Sequence, residues 1–426
     1  MANVYYSVGQ SSSDLKSGGN ITAISSGVAT FDTAQTGNIG VGDVVISNGV
    51  TYYISSKNST TSWNLVTALG ATPTDVGSSH ALTSIKHAYT SLAGAVAGAS
   101  DSSHINNADL TLANVILNIP CYYDTGADTA GVTVTGYTTG ASNYIKIYTP
   151  SNTATEANNS QRHNGTLNGS SYSLSFSGSW ATAIFTQISN VVIDGLAIKM
   201  TGDPSAGIVC NDNGSLDTDN VTVKNNLVVD TFSGASTYSR GIESSFSGST
   251  TATQRYFIFN NIVSGFGYGI RHYGPWQGYG SLYVYNNTVV NASQHGIANT
   301  SNNSTGTYVY KNNLSYSNAV DLPSGYTNNN NISKDGTASG TNSKANQTVV
   351  FVNATGGDFH LAPTDTSAKG AGADLSADAN LAFNTDIDGQ TRPGGSAWDI
   401  GADEYTAGGG GGATARAIRN LLGVGL

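Results

Sequence analysis

The chain has 426 residues, of which only 10% are charged, against about 25% in an ordinary soluble domain, and 52 are glycine. A hydrophobic share of 38% excludes general disorder, and the length is sufficient for a large core. The net charge of −10 argues against the basic footprint that nucleic acids and anionic membranes require, so we expect neither partner.

The N-terminal part of the chain predicts a small β domain followed by one helix. Residues 1–82 contain short strand candidates separated by glycine and serine. Residues 83–98 then carry apolar side chains at helical spacing, namely Ile85, Tyr89, Leu92 and Val96. A helix at this point would cap a solenoid, whose open end otherwise exposes apolar core and unpaired strand edges.

Residues 99–345 contain a repeated pattern in which two short alternating strands flank a corner. The corners begin at Asp194, Asn225, Asn260, Asn286 and Asn312, at intervals within the ~20–50 residues of a solenoid repeat. Asparagine suits a corner because it tolerates the left-handed backbone conformation and its amide can bond to the equivalent amide one coil away.

The fold expected from this repeat is an all-β, right-handed, single-stranded parallel β-helix. In that fold each coil places its strands above those of the previous coil, so that inward apolar residues stack into one core. We therefore expect a ladder of asparagine pairs on consecutive coils: 225/226, 260/261, 286/287 and 312/313.

Residues 190–405 resemble the right-handed β-helix proteins of the pectate-lyase-like superfamily. The closing segment of the β-helix, residues 346–405, is the most specific part, through Asp358–Pro363, Thr385–Gly389 and Trp398–Tyr405. These stretches are similar to the end of many bacterial and viral surface β-helix proteins. The superfamily includes polysaccharide lyases, glycoside hydrolases, phage tailspikes and non-catalytic adhesins, so the resemblance implies a fold and an exposed location, not a reaction.

Four polar residues are the candidates for sugar cleavage: Asp230, Glu243, Arg271 and His272. Hydrolases need two carboxylates roughly 5–9 Å apart, and the resemblance implies that a lyase would hold Ca²⁺ with acids beside a basic residue. No ladder of acids on adjacent coils is visible in the sequence. We therefore expect these four to be solvated loop residues, with a polysaccharide lyase or glycoside hydrolase as the alternative.

Residues 265–280 carry five aromatic side chains among glycines: Phe266, Tyr268, Tyr273, Trp276 and Tyr279. Aromatic faces stack on sugar rings, and neighbouring glycines let a flat ligand approach. Aromatic side chains also dominate cores and subunit interfaces. The pattern is thus compatible with glycan contact and with packing.

Asn384, Asp386 and Asp388 stand at alternate positions before Gly389, like the beginning of a calcium loop. Gly395 occupies the place where that loop requires a bidentate glutamate, and a tight turn explains the same residues. Apart from Ca²⁺ at this loop, we expect no cofactor.

Residues 406–426 combine a flexible glycine tether with a short basic and apolar peptide. The residues expected to contact a partner are Arg416, Ile418, Arg419, Leu421 and Leu422. On an acidic protein such a peptide can dock on another virion protein or on a neighbouring copy of the chain. A frayed tail is the alternative.

The beginning of the chain has no basic stretch followed by an apolar one, and no stretch is apolar enough to span a membrane. We therefore expect a non-enzymatic phage virion protein of tailspike, fibre or capsid-decoration type, made in the host cytoplasm and exposed on the virion surface. It would form a homo-oligomer, such as a trimer, and contact host-surface polysaccharide. A bacterial adhesin, extracellular or at the cell surface, is the other alternative.

Overall fold

The computed structural model describes residues 1–211, 220–232, 234, 236–246, 254–274, 280–301 and 306–407. The first strands in chain order are β1 (Ala2–Tyr5), β2 (Asn20–Ser25), β3 (Val28–Phe31), β4 (Val44–Ser47), β5 (Val50–Ser59), β6 (Ser62–Val66), β7 (His80–Lys86), β8 (Val115–Pro120), β9 (Val132–Val134) and β10 (Ile145–Tyr148). Helices α1 (Leu92–Gly98) and α2 (Leu110–Ala113) lie between β7 and β8. No helix in the described part of the chain is long and apolar enough to cross a membrane.

The next strands are β11 (Ser173–Phe176), β12 (Thr182–Thr186), β13 (Val191–Asp194), β14 (Ala197–Met200), β15 (Ala206–Asn211), β16 (Asn220–Lys224), β17 (Leu227–Asp230), β18 (Arg240–Ser245), β19 (Gln254–Phe259) and β20 (Ile262–Ser264). The last strands are β21 (Tyr268–His272), β22 (Gly280–Tyr285), β23 (Thr288–Val290), β24 (His295–Asn299), β25 (Thr307–Lys311), β26 (Leu314–Tyr316), β27 (Thr327–Asn329), β28 (Ile332–Ser333), β29 (Phe351–Asn353) and β30 (Asp358–Leu361). A 3-10 turn at Ala354–Gly356 joins β29 to β30.

Three parallel sheets form the solenoid. Sheet 1 has the order β1-β8-β10-β13-β16-β19-β22-β25-β27, sheet 2 the order β11-β14-β17-β20-β23-β26-β28, and sheet 3 the order β24-β21-β18-β15-β12-β9. The chain visits the sheets in turn, so that β13, β14 and β15 make one coil and β16, β17 and β18 the next. This architecture confirms the predicted parallel β-helix.

Residues 20–86 form a closed antiparallel barrel of β2, β3, β6, β5, β4 and β7. The solenoid itself starts earlier than the predicted residue 99, because β1 pairs with β8 in sheet 1. The predicted helix over 83–98 is wrong in its first half, where β7 ends at Lys86. Ile85 packs in the barrel core, whereas Leu92 and Val96 pack in the solenoid core. Their helical spacing in the sequence therefore does not correspond to one helix.

Helix α1 packs next to β9, the edge strand at the first end of sheet 3. Ser91 caps its N-terminus by accepting a hydrogen bond from the Gly94 backbone N–H at 3.1 Å. Leu92, Ala95 and Val96 are buried in the solenoid core, and the helix contacts β9, the first strand of sheet 3. The helix thus lies where the cap was predicted, but it spans residues 92–98 and not the predicted 83–98.

The asparagine pairs form the predicted ladder at the corners between sheets 1 and 2. The first residue of each pair is left-handed, with φ from 49° at Asn286 to 56° at Asn225. The second residues donate from Nδ2 to the Oδ1 of the next coil at 3.0–3.1 Å, along the series Asn226, Asn261, Asn287, Asn313 and Asn331. Gly195, not Asp194, is equivalent to Asn225, because Asp194 pairs in register with Lys224.

The closing segment, residues 346–405, packs on the outer faces of two sheets. Trp398 joins Phe259 and Tyr283 of sheet 1 in one apolar cluster, and two further clusters join this segment to sheet 2. Four left-handed asparagines, at positions 260, 286, 312 and 330, donate to its carbonyls, for example Asn260 to Thr385 at 2.7 Å. Among the described residues, none of these clusters includes a strand of sheet 3.

His87 connects the barrel to the solenoid. Its Nδ1 lies 2.7 Å from Asp43 Oδ1, next to β4 of the barrel, and its Nε2 lies 3.0 Å from Asp124 Oδ1, after β8 of the solenoid. Burial would lower the pKa of His87, but the two carboxylates outweigh it and raise this pKa to about 10. His87 is therefore a buried imidazolium between the side chains of Asp43 and Asp124.

We expect this ion pair to make stability depend on pH in the alkaline range. His87 has a pKa of about 10 in the folded protein, against roughly 6.5 in an unfolded chain, so the stabilisation is complete below about pH 6.5 and is lost as the pH rises through the folded value. The difference in unfolding temperature between wild type and His87→Gln should therefore shrink from pH 6 to pH 10. The control His80→Gln should show no such trend, and a pH-independent difference for His87→Gln would contradict the prediction.

Candidate functional site

The outer face of sheet 3 carries a group of polar and aromatic side chains. Ile242 and Ile270 belong to the solenoid core, so the residues that follow them, Glu243 and Arg271, point outward and are neighbours in register. We use the name tyrosine–arginine surface for the following residues: Arg240, Glu243, Tyr268, Arg271, Tyr273 and His295.

Arg271 is the centre of this surface. Its guanidinium carbon lies 4.9 Å from the ring centroid of Tyr268 and 5.1 Å from that of Tyr273. Its Nε donates to Glu243 Oε2 at 2.6 Å, and Arg240 Nε lies 3.3 Å from the same oxygen. Tyr273 is 54% exposed, which makes it the most exposed aromatic residue of this surface among the described residues.

Glycines allow the strands of sheet 3 to pack closely beneath this surface. A Cβ at Gly269 would overlap Val289 and lie 2.6 Å from the Gly296 carbonyl oxygen. A Cβ at Gly207 or Gly241 would meet the equivalent valine and glycine carbonyl, whereas one at Gly296 would overlap Ser315 and Asn318. Each of these glycines is followed by a core isoleucine, in the pairs 207/208, 241/242, 269/270 and 296/297. This repeated Gly-Ile pair is a signal for sheet 3 that is present in the sequence, separate from the asparagine corners between sheets 1 and 2.

The predicted catalytic residues do not converge on one site. Glu243 and Arg271 lie together, whereas His272 points into the solenoid and is fully buried, with Nδ1 3.0 Å from Ser244 Oγ. Burial lowers the pKa of His272 to about 3. Asp230 ends β17 in sheet 2, where it is buried and accepts the Phe232 N–H at 2.9 Å.

The expectation of loop residues is therefore wrong for all four, because each lies in a strand, and Glu243 is buried as well as Asp230 and His272. Asp230 and His272 depart furthest from it. Both lie at the ends of strands that extend further than the sequence suggested, and both are buried. Burial raises the pKa of Asp230. Neither side chain reaches the tyrosine–arginine surface.

The predicted aromatic group divides between core and surface. Phe266 is fully buried in the solenoid core, so a glycan contact is wrong for this residue. Tyr268 is partly exposed and its ring stacks on His295, with the centroids 5.5 Å apart. Trp276 and Tyr279 lie outside the described residues.

Two strongly exposed aromatic residues were missed by the sequence reading. Trp180 and Tyr238 are 73% and 65% exposed and lie in the turns that lead from sheet 2 into β12 and β18 of sheet 3. Each follows a Gly- and Ser-rich stretch. An aromatic residue in such a polar turn is the signal that would have found them.

The loop predicted to bind calcium contains a hydrogen-bonded turn. Asp386 is buried and accepts backbone N–H groups of Asp388 at 3.0 Å, Gln390 at 2.7 Å and Glu404 at 3.1 Å. Burial, with Asp388 nearby, raises the pKa of Asp386 to about 7. Asn384 is exposed. Asp386 thus has a structural role, and calcium binding at this loop stays a prediction.

The residues predicted to dock on a partner lie outside the described part of the chain. These residues are Arg416, Ile418, Arg419, Leu421 and Leu422. Docking through this peptide stays a prediction.

Comparison with known proteins adds one similar structure. No protein-family model matches the chain, and no curated protein matches it. A crystal structure of pectate lyase Pel9A is similar at 15% identity with a TM-score of 0.37, over 75% of this chain and 92% of that chain. The three parallel sheets of this chain show by themselves that it is a β-helix.

Proposed function

We propose that the protein is a non-enzymatic β-helix that binds glycans through the tyrosine–arginine surface. The observation that carries the proposal is Arg271 held between the rings of Tyr268 and Tyr273 on the outer face of sheet 3. Aromatic rings offer flat apolar faces, and the guanidinium offers a planar set of donors for hydroxyl or carboxylate oxygens. Among the described residues, the closing segment packs on sheets 1 and 2 and does not cover this face.

The charges of the surface favour binding over cleavage. Glu243 is paired with Arg271 and Arg240, so its carboxylate is neutralised by two cations. A glycoside hydrolase requires a second carboxylate roughly 5–9 Å away. Asp230, the other predicted acid, is buried at the end of a sheet 2 strand and cannot supply it.

The setting we propose for this binding is the surface of a phage particle, as a tailspike, fibre or decoration protein. The support comes from the sequence, in which the glycine tether and a basic, apolar peptide follow an acidic body. Such a peptide suits docking on another virion protein or on a second copy of the chain. The chain would then form a homo-oligomer that displays its β-helices outward.

We expect Tyr273→Ala and Tyr268→Ala each to reduce affinity for a bound polysaccharide by about 2- to 12-fold, since an aromatic contact contributes roughly 0.5–1.5 kcal/mol. The measurement is binding to an array of bacterial surface polysaccharides, followed by titration with the best ligand. Folding should be unchanged, because Tyr273 is 54% exposed.

Tyr144→Ala is the matched control, because Tyr144 is half-buried directly before β10 of sheet 1, away from the proposed surface. Equal binding by wild type and both surface variants would contradict the glycan proposal. Release of new sugar ends from the bound polysaccharide, abolished by Glu243→Gln, would instead favour the hydrolase or lyase alternative.

A further inference from the structure

Three side chains that commonly bind metal ions converge within the closing segment. His360, Asp388 and Asp403 each offer one ligand atom, and these atoms lie within 4.8 Å of one another. His360 comes from β30, Asp388 from the turn between Thr385 and Thr391, and Asp403 from the stretch after Trp398. The group thus joins three stretches that are distant in sequence.

One carboxylate oxygen of Asp388 has no hydrogen-bond partner among the described residues. Its side chain is only 10% exposed, and its Oδ2 lies 2.9 Å from His360 Nε2. Its Oδ1 is buried and has no hydrogen-bond partner. A buried carboxylate oxygen left unpaired is costly, and a cation at this position would satisfy it.

The hydrogen bonds that orient these three side chains are of the kind found around known metal sites. Asp358 Oδ1 binds His360 Nδ1, which leaves Nε2 directed at Asp388. A ligating histidine almost always donates its other ring N–H to a carboxylate, carbonyl or water. Asp403 is held by the Leu361 backbone N–H, which donates to Oδ2 at 2.7 Å.

The other nearby basic groups have partners elsewhere. His163 is buried, with Nε2 2.9 Å from the Asn225 carbonyl oxygen, and its Nδ1 accepts the Gly165 N–H at 3.1 Å. Arg392 donates to Glu404 at 3.0 Å. His360 is therefore the basic side chain that faces Asp388 and Asp403, with Asp358 on its other ring nitrogen.

We propose that His360, Asp388 and Asp403 bind a divalent transition-metal ion, and that Zn²⁺ is the ion this set suits best. One imidazole nitrogen with two carboxylates is a borderline donor set, and three protein ligands leave a fourth position for water. The ion links β30, the turn that contains Asp388 and the end of the closing segment. Its role is to hold this segment closed on the β-helix, because a ligand that binds only the folded state stabilises that state.

The test is Zn²⁺ titration of the full chain, without a polyhistidine tag and after treatment with EDTA. Calorimetry should show one Zn²⁺ bound per chain, and the unfolding temperature should rise with Zn²⁺ concentration. His360→Gln and Asp403→Asn should abolish both effects. Asp358→Asn keeps all three ligands and should weaken Zn²⁺ affinity by about 10- to 100-fold.

Asp374→Asn is the matched control, since Asp374 is an exposed acid of the same segment. It should leave Zn²⁺ affinity unchanged. Absence of Zn²⁺ binding, or binding unaffected by Asp358→Asn and His360→Gln, would overturn the proposal. If His360→Gln does not fold, zinc-edge anomalous diffraction from wild-type crystals decides, because an ion placed away from His360 overturns the assignment. A response to Ca²⁺ alone would overturn it in favour of an all-oxygen site.

Discussion

Arg392→Met is expected to reduce the free energy of unfolding by about 3–5 kcal/mol, because it leaves a buried carboxylate without its counter-charge. Arg392 is almost fully buried, and its Nη1 donates to Glu404 Oε2 at 3.0 Å. Its Nη2 donates to Asn260 Oδ1 at 3.2 Å and to the Ala402 carbonyl oxygen at 3.0 Å. One guanidinium therefore joins the closing segment to an asparagine corner of the solenoid.

The measurement is denaturant unfolding at neutral pH, with hydrogen exchange of the closing segment as a local probe. Arg255→Met is the control, because Arg255 is exposed on β19, and it should change stability by no more than about 0.5 kcal/mol. We expect the closing segment to exchange faster in Arg392→Met. A loss below about 1 kcal/mol would show that this ion pair does not hold the segment.

The second large effect is expected for Asn287→Ala, in the middle of the ladder. Asn287 Nδ2 donates to Asn313 Oδ1 at 3.1 Å and to the Ile258 carbonyl oxygen at 2.9 Å. Its Oδ1 accepts both the backbone N–H and the Nδ2 of Asn261 at 3.0 Å. Alanine leaves the buried Asn261 backbone N–H without its partner, which costs about 1–3 kcal/mol. It also removes one hydrogen bond each from Asn261 Nδ2, Asn313 Oδ1 and the Ile258 carbonyl, at about 0.5–1.5 kcal/mol each, so we expect a loss on the order of 4 kcal/mol.

Thermal and denaturant unfolding, with hydrogen exchange of the central coils, measures this loss. Asn58→Ala is the matched control, because Asn58 is exposed at the end of β5 in the barrel, where its amide bonds only exposed or half-buried side chains. The control should be nearly neutral. Equal stability of the two variants would mean that the ladder does not contribute to the fold.

The ladder was predictable from the sequence, because its signal repeats locally in every coil. Asn260–Asn261 and Asn286–Asn287 stand between short alternating strands, and the left-handed conformation selects asparagine for the first position. In the structure the ladder continues one coil beyond the predicted pairs, to Asn331. In the pairs that begin at Asn260, Asn286 and Asn312, the first residue bonds the closing segment and the second bonds the next coil. The sequence did not show these different roles, because both residues are asparagine.

For the predicted aromatic group, the local sequence pattern does not predict which side chains are buried. Phe266 and Tyr268 are two residues apart, yet Phe266 is buried in the core and Tyr268 lies at the surface beside Arg271. Phe266 belongs to the corner before β21 and Tyr268 is the first residue of that strand. Side-chain direction at a corner depends on how the next coil stacks on it, which composition does not encode.

The repeat and its corners follow from neighbouring residues, and the sequence therefore predicted the β-helix and its asparagine ladder. The barrel junction at His87, the cover of sheets 1 and 2 by the closing segment, and the convergence of His360, Asp388 and Asp403 required the folded chain. Each of these features joins residues that are far apart in sequence. Their proximity depends on the path of the chain between them, and no periodicity within a single coil reports that path.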